Sequence, residues 1–165
     1  MPISARYVHT NLVARDWRRL ARFYCGVFGC MPVPPERNLS GGWLDALTAI
    51  ECAHLTGIHL LLPGQPAGGV TLEIFAYDRM PERAVPGVNE PGFGHIAFLV
   101  EDVDRALAAV RAAGGGVVGK VSSAEVAGAG TIRVVYARDP EGNVLELQTW
   151  IRRGEPHDGL RNLHP

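Results

Sequence analysis

The feature that most constrains this chain is an internal repeat built on a histidine and an aspartate. Residues 9–16 read His-Thr-Asn-Leu-Val-Ala-Arg-Asp, and residues 95–102 read His-Ile-Ala-Phe-Leu-Val-Glu-Asp. In both copies the residues between histidine and aspartate favour a strand, and apolar residues at helical spacing follow the aspartate. Self-similarity of this kind predicts one supersecondary unit that is used twice.

Each copy predicts a strand followed by a helix. The first strand lies near 6–13, Asp16 is placed to cap the helix that follows, and Gly29 is placed to end it. The second strand lies near 93–100, Asp102 is the corresponding cap, and the glycines at 114–116 end the second helix. The helices should therefore begin at equivalent places in the two halves.

Further strands complete each half. They are predicted at 57–62 and 70–77, and then at 116–121, 131–138 and 143–150, where the turn Asp139-Pro-Glu-Gly-Asn143 indicates a hairpin. Residues 32–56 are less regular: the prolines there predict a loop, and 43–54 fits a strand or a short helix, of which we favour the strand. The expected fold class is α+β, with two tandem βαβββ modules that each form a curled mixed sheet.

The domain organisation follows from these elements. We expect a single domain over residues 1–152, with module one at 6–77, a linker rich in proline and glycine at 78–92, and module two at 93–150. The polar segment 153–165 is predicted to be a C-terminal tail on the surface or a partner contact.

Composition narrows the class of partner. The chain has 165 residues and a net charge of −1, which gives no basic footprint for nucleic acid or for a membrane surface. It has no apolar run of about 18 residues and no secretory leader pattern. Cys25, Cys30 and Cys52 form no Cys-x-x-Cys pair, which indicates reduced thiols. We therefore expect a cytoplasmic protein that acts on a small-molecule substrate.

The alternation of side chains along the strands predicts a metal site. His9 and His95 hold equivalent places on the first strand of each half, and Glu73 and Glu146 hold equivalent places on the last. A carboxylate on an inward strand position needs a counter-charge. Two imidazoles and two carboxylates suit zinc, nickel, cobalt, manganese or iron, so one divalent metal ion is the expected cofactor.

The same residues carry a resemblance to a known superfamily. Its motifs are His9 with Asp16, Glu73 in Leu-Glu-Ile-Phe, the segment 95–102, and the segment 139–146 that ends on Glu146. Over residues 6–150 the chain resembles the vicinal oxygen chelate superfamily, which implies two tandem βαβββ modules whose mixed sheets form a cleft around a metal site. This group includes glyoxalase I, methylmalonyl-CoA epimerase, extradiol dioxygenases, fosfomycin-resistance enzymes and bleomycin-binding proteins.

The resemblance implies a chemistry. Four ligands including Glu73 are similar to the set of glyoxalase I and the epimerase, whereas extradiol dioxygenases and fosfomycin-resistance enzymes use three. The implied activity is that of a metal-dependent isomerase or lyase, in which a proton moves next to a carbonyl through a metal-stabilised enediolate or enolate. Glu146 or Glu73 is the implied base. An iron-dependent ring-cleaving dioxygenase and a small-molecule binding protein without chemistry are the alternatives.

Candidate substrate contacts are less well marked. His59 alternates with Leu61 on a predicted strand, Asn11 shares a strand face with His9, and Arg37 can pair with an anionic group. His54 is a further candidate for a substrate contact. By resemblance to the epimerase, Glu51, His54 and His59 are candidates for a separate base, although none of them lies in a matching motif. A homodimer is implied by the resemblance alone.

Overall fold

The computed structural model describes residues 3–151, and contacts divide the chain between Arg83 and Ala84 into two compact units. The first unit combines two helices and the second unit one helix with a mixed sheet, so the predicted α+β class with two βαβββ-like modules is confirmed. The predicted tail at 153–165 lies outside the described residues. Within 3–151, none of the helices combines the length and the apolar character needed to cross a membrane.

The first unit contains a four-stranded sheet and two helices. Its elements are β1 (His9–Val13), α1 (Trp17–Phe28), β2 (Met31–Ser40), α2 (Gly42–Thr48), β3 (His54–Leu61) and β4 (Thr71–Tyr77). The strand order is β1-β4-β3-β2, in which β1 runs parallel to β4 and the other neighbours are antiparallel.

The second unit contains a five-stranded sheet and one helix. Its elements are β5 (Ile96–Leu99), α3 (Val103–Ala112), β6 (Gly116–Val117), β7 (Ser122–Val126), β8 (Gly130–Arg138) and β9 (Val144–Ile151). The order is β5-β9-β8-β6, with β7 also paired to β8, and β5 is parallel to β9 as β1 is to β4. The central strands of the two sheets are therefore equivalent.

The helices α1 and α3 begin where the sequence predicts, because an aspartate caps each of these two. The Asp16 carboxylate accepts the Arg19 backbone N–H at 2.9 Å, and Gly29 ends α1 at φ 71°. Asp102 caps α3 by accepting the Asp104 and Arg105 backbone N–H groups. These bonds satisfy amides that the first helical turn leaves without partners.

The helices α1 and α3 each cover one face of their own sheet, whereas Leu44 of α2 packs against Leu55 and Phe75 on the other face of the first sheet. The Trp17 indole N–H donates to Thr56 Oγ1 at 3.0 Å, which fixes α1 over the face that carries Ile58 and Leu60. In the second unit α3 packs on β8 and β9, whose Val135, Ala137, Leu145 and Leu147 are buried. Because side chains alternate along a strand, Glu73 and Glu146 lie on the faces away from α1 and α3.

Residues 32–56 contradict the prediction. The prolines lie within β2 instead of a loop, and 43–54 contains the helix α2 in place of the favoured strand. Proline is tolerated here because β2 is an edge strand whose register shifts between Val33 and Arg37, so that Pro34 and Pro35 have no ladder bond to donate. The short helix α2 was missed because Leu44 alone is buried from it.

The strand bounds also differ from those predicted. β1 begins at His9 instead of residue 6, and β5 begins at Ile96, so that His95 lies just before its strand. The predicted strand 116–121 is the two-residue β6, and β7 was not predicted at all. The hairpin at 139–143 is confirmed, with Gly142 at φ 87° and its N–H bonded to the Asp139 carbonyl at 3.0 Å.

Candidate functional site

The parallel pair β1–β4 positions the first part of the site in unit one. Asn11 lies opposite Glu73 in the register, and His9 lies two residues earlier on the same face. The Asn11 side-chain amide donates to Glu73 Oε2 at 2.9 Å, and His9 Nε2 lies 3.5 Å from the same oxygen. The parallel ladder thus brings one imidazole and one amide to a single carboxylate oxygen.

The antiparallel pair β3–β4 adds His59 to this group. His59 lies opposite Glu73, and its Nε2 is 2.9 Å from the other carboxylate oxygen, Oε1. Its Nδ1 is 3.0 Å from Thr71 Oγ1. The potential ligand atoms of His9, His59 and Glu73 all lie within 4.8 Å of one another, so these residues form a candidate metal group.

The second unit repeats this arrangement with different side chains. Glu146 lies opposite Ala97 in the parallel register and opposite Tyr136 in the antiparallel one. His95, two residues before Ala97, has its Nε2 3.4 Å from Glu146 Oε2. The Tyr136 hydroxyl donates a hydrogen bond to Glu146, and its ring centroid lies 5.2 Å from that of His95.

The two histidine–glutamate separations suit metal ligands better than hydrogen bonds. At 3.5 Å in unit one and 3.4 Å in unit two, they exceed the usual N–H···O range of about 2.7–3.2 Å. Ligands about 2.1 Å from a tetrahedral zinc stand about 3.4 Å from each other. Each pair therefore has the spacing of two neighbouring ligands of a tetrahedral ion, and the side chains fit the implied metal in donor type as well.

Burial and charge perturb two groups at the site. The pKa of His59 is lowered, and burial is the largest cause. The Glu73 carboxylate acts in the opposite direction and raises this pKa, whereas the nearby charges of Arg37 and His9 lower it further. The pKa of Tyr136 is raised by burial and then by the charge and hydrogen bond of Glu146. These shifts favour the neutral imidazole of His59 and the protonated phenol of Tyr136.

The remaining predicted residues lie in different places. Arg37 lies opposite Gly57, two residues from His59 on β3, and its charge acts on that histidine. His54 lies on the other face of β3 from His59, and its ring bonds to Asp78 at 2.8 Å and to Asn38 at 2.7 Å. Glu51 is exposed in the turn after α2, where its carbonyl accepts the Arg79 guanidinium. The structure groups His9, Asn11, His59 and Glu73 in unit one, and His95 with Glu146 in unit two.

Sequence reasoning missed Tyr136 and Thr71. The signal for Tyr136 was available, because a hairpin centred on residue 141 places residue 136 opposite residue 146. No comparable signal marked Thr71, since its contact depends on how the 62–70 connection sets the register of β3 on β4.

The fold and the two histidine–glutamate pairs define a class of protein with duplicated βαβββ-like modules and candidate metal ligands on the sheets. Residues 6–147 match the model of the Glyoxalase/Bleomycin resistance protein/Dioxygenase superfamily, and the chain belongs to that superfamily. It is 36% identical over 144 residues to a "Probable lactoylglutathione lyase" of Vibrio parahaemolyticus. The aligned region covers 87% of this chain and 90% of that protein.

Solved structures share the fold at lower identity. A glyoxalase family protein from Bacillus cereus superposes with a TM-score of 0.75 at 19% identity, covering 92% of this chain and 97% of that one. A mutant fosfomycin resistance protein from Listeria monocytogenes, complexed with Mn(II) and 1S,2S-dihydroxypropylphosphonic acid, gives 0.53 at 16% identity, covering 90% and 95%. These likenesses establish the architecture.

Proposed function

We propose that this chain is a divalent-metal-dependent isomerase or lyase of the glyoxalase I type, which moves a proton next to a substrate carbonyl. The observation that carries the proposal is the pair of histidine–glutamate separations, 3.5 and 3.4 Å, at equivalent register positions of the two units. Similarity to a probable lactoylglutathione lyase supports the reaction class.

We further propose that His9, Glu73, His95 and Glu146 hold one metal ion. Two imidazoles and two carboxylates are ligands that zinc, nickel, cobalt, manganese and iron(II) accept. A divalent cation there supplies Lewis acidity, which polarises a substrate carbonyl and acidifies the neighbouring C–H bond.

The two glutamates have different freedom to move a proton. Glu73 is held at both oxygens, by Asn11 on one and His59 on the other. Glu146 receives a hydrogen bond from Tyr136, but the Ala97 methyl opposite it has no donor. We therefore assign proton removal and return to Glu146, and a fixed anchoring role to Glu73.

Arg37 is the group best placed to select the substrate. Its guanidinium carries a permanent charge beside His59, and such a group binds carboxylates through paired hydrogen bonds. A substrate with an anionic arm, such as the hemithioacetal of glutathione and a 2-oxoaldehyde, combines that charge with the required carbonyl.

The first experiment measures metal content by elemental analysis and then assays each metal-loaded form with hemithioacetals and acyl-CoA esters. We expect one metal per chain and turnover of a hemithioacetal. The variants His9→Ala and His95→Ala should each abolish metal binding while the chain stays folded. If one variant keeps the full metal content, a single ion bound by both units is ruled out.

A second experiment tests the base. Glu146→Gln should lower kcat by about 10²–10⁴-fold, the usual contribution of a general base. Glu51→Gln is the matched control and should leave both metal content and turnover unchanged, because its side chain is exposed in the turn after α2. Oxygen consumption with a catechol by the iron-loaded chain, without isomerisation, would favour the dioxygenase instead.

A further inference from the structure

The two oxygens of the Glu73 carboxylate have different surroundings. Oε2 accepts the Asn11 amide at 2.9 Å and lies 3.5 Å from His9 Nε2. Oε1 lies 2.9 Å from His59 Nε2, which is a normal hydrogen-bond length. His9 and His59 therefore stand in different relations to Glu73, although both belong to the candidate metal group.

The contacts of His59 engage both of its ring nitrogens. A carboxylate can only accept, so Nε2 is the nitrogen that donates to Glu73 Oε1. Nδ1 lies 3.0 Å from Thr71 Oγ1, a hydroxyl that orients the ring by hydrogen bonding. Thr71, His59 and Glu73 therefore form one chain of contacts.

We propose that His59 is a positioning residue and not a metal ligand: oriented by Thr71, it holds Oε1 of Glu73 so that Oε2 alone faces the metal. The inference rests on the proposed metal site. It is carried by the contacts around Glu73: His59 lies at hydrogen-bond distance from Oε1, 2.9 Å, and also contacts Thr71, whereas His9 lies 3.5 Å from Oε2, beyond a normal hydrogen bond.

The second unit supplies an independent argument. Tyr136 holds the register position opposite Glu146 that His59 holds opposite Glu73, and its hydroxyl donates to that glutamate. Tyrosine and neutral histidine share the ability to donate one hydrogen bond to a carboxylate. At this position both units therefore carry a hydrogen-bond donor that supports the proposed ligating carboxylate. Metal ligands are generally held in place by such partners.

The test compares metal binding by four variants of the whole chain. His59→Leu removes the donor, whereas His59→Gln keeps an amide N–H of similar reach. Thr71→Val removes the hydroxyl that orients the ring, whereas Thr71→Ser keeps it. We measure the metal dissociation constant by competition with a chelating dye, and the visible absorption bands of the Co(II) form, which report ligand number and geometry.

Loss of an outer-shell partner typically weakens metal binding by about 10–100-fold, so we expect this for His59→Leu and a loss near the lower limit for Thr71→Val. His59→Gln and Thr71→Ser should restore native affinity, and the Co(II) bands of His59→Gln should keep their positions and intensities. A purely structural histidine would not be rescued in this way.

Two results would overturn the assignment. If His59→Gln loses the metal as completely as His9→Ala, His59 is itself a ligand. If His59→Leu binds the metal as tightly as the native chain, His59 does not position Glu73.

The measurement needs no substrate, so it separates this inference from the proposed reaction. A chain that binds the metal and responds to these variants, but isomerises no hemithioacetal or acyl-CoA ester, contradicts the proposed function alone. A native chain that binds no divalent metal contradicts both.

Discussion

Gly57 is the position at which the structure makes its sharpest prediction about stability. A Cβ added there would stand 2.1 Å from the Ile74 carbonyl oxygen and 2.3 Å from Phe75 Cδ1. Favourable contacts between carbon atoms lie at about 3.5–4.0 Å, so the overlap exceeds an ångström. Both neighbours belong to β4, whose backbone is paired on both sides and cannot move away without breaking ladder bonds.

The cost of Gly57→Ala follows from that overlap. Overpacking usually costs about 1–3 kcal/mol, and a clash with backbone places this variant near the upper value. For a chain of this size each kcal/mol lowers the thermal midpoint by roughly 2–4 °C, so we expect a fall of about 6–12 °C in calorimetry. The strain also falls beside the site, because the Phe75 ring centroid lies 6.1 Å from that of His59.

Gly26 supplies the matched control. It is exposed within α1, and a Cβ added there would meet nothing within 4 Å. Alanine is favoured over glycine inside a helix by about 0.5–1 kcal/mol, so Gly26→Ala should raise the midpoint slightly. A Gly57→Ala chain that unfolds at or above the native midpoint would refute the argument from close approach.

Three further outcomes are expected. Tyr136→Phe should weaken metal binding by about tenfold in a competition titration, because the hydroxyl supports Glu146. The thermal midpoint should not fall, because the residue is partly exposed. Unchanged metal affinity would contradict this expectation. In the native chain at pH 8, a thiol reagent should modify the exposed Cys52 and spare Cys30, whose pKa burial raises to about 12; equal labelling rates would be inconsistent with the burial. The pKa of Asp102 is lowered, chiefly because its carboxylate accepts a hydrogen bond from a backbone amide. The cap therefore stabilises the chain above the usual carboxyl pKa of about 3.9, and this stabilisation is lost as the pH falls. The thermal midpoints of the native chain and of Asp102→Ala should accordingly converge in acid.

The repeated part of the fold was predictable because its signals are local. A capping aspartate and apolar positions at helical spacing determine where α1 and α3 begin, and both lie within about a dozen residues of sequence. The pairing of His9 with Glu73 and of His95 with Glu146 followed from equivalence between the halves. The structure places each pair within 3.5 Å.

The rest depended on pairing at a distance. The prolines of β2 resemble a loop until the strand is known to lie at the sheet edge, where a missing N–H costs little. The contact of His59 with Glu73, which the register of β3 on β4 produces, was not predicted from the sequence. Register across a long connection is set by tertiary packing, which strand periodicity in the sequence does not encode.

The difference between the two halves leads to one more prediction. Asn11 and Ala97 hold the same register position opposite a glutamate, yet Asn11 alone can donate a hydrogen bond. Ala97 is exposed, so an asparagine fits there. Ala97→Asn should tether Glu146 as Asn11 tethers Glu73. The metal should remain bound, but the base that we assign to proton transfer should lose its freedom.

The size of this effect can be worked out. A hydrogen bond to a charged group contributes about 1.5–3 kcal/mol. If Glu146 must break that bond to move the proton, each 1.4 kcal/mol of added barrier slows the step by about tenfold, and kcat should fall by about 10–100-fold. Ala97→Val fills the space without a donor and serves as the control, with metal affinity measured for both variants. Equal turnover by the asparagine and valine variants would mean that the freedom of Glu146 does not matter, and that the base lies elsewhere.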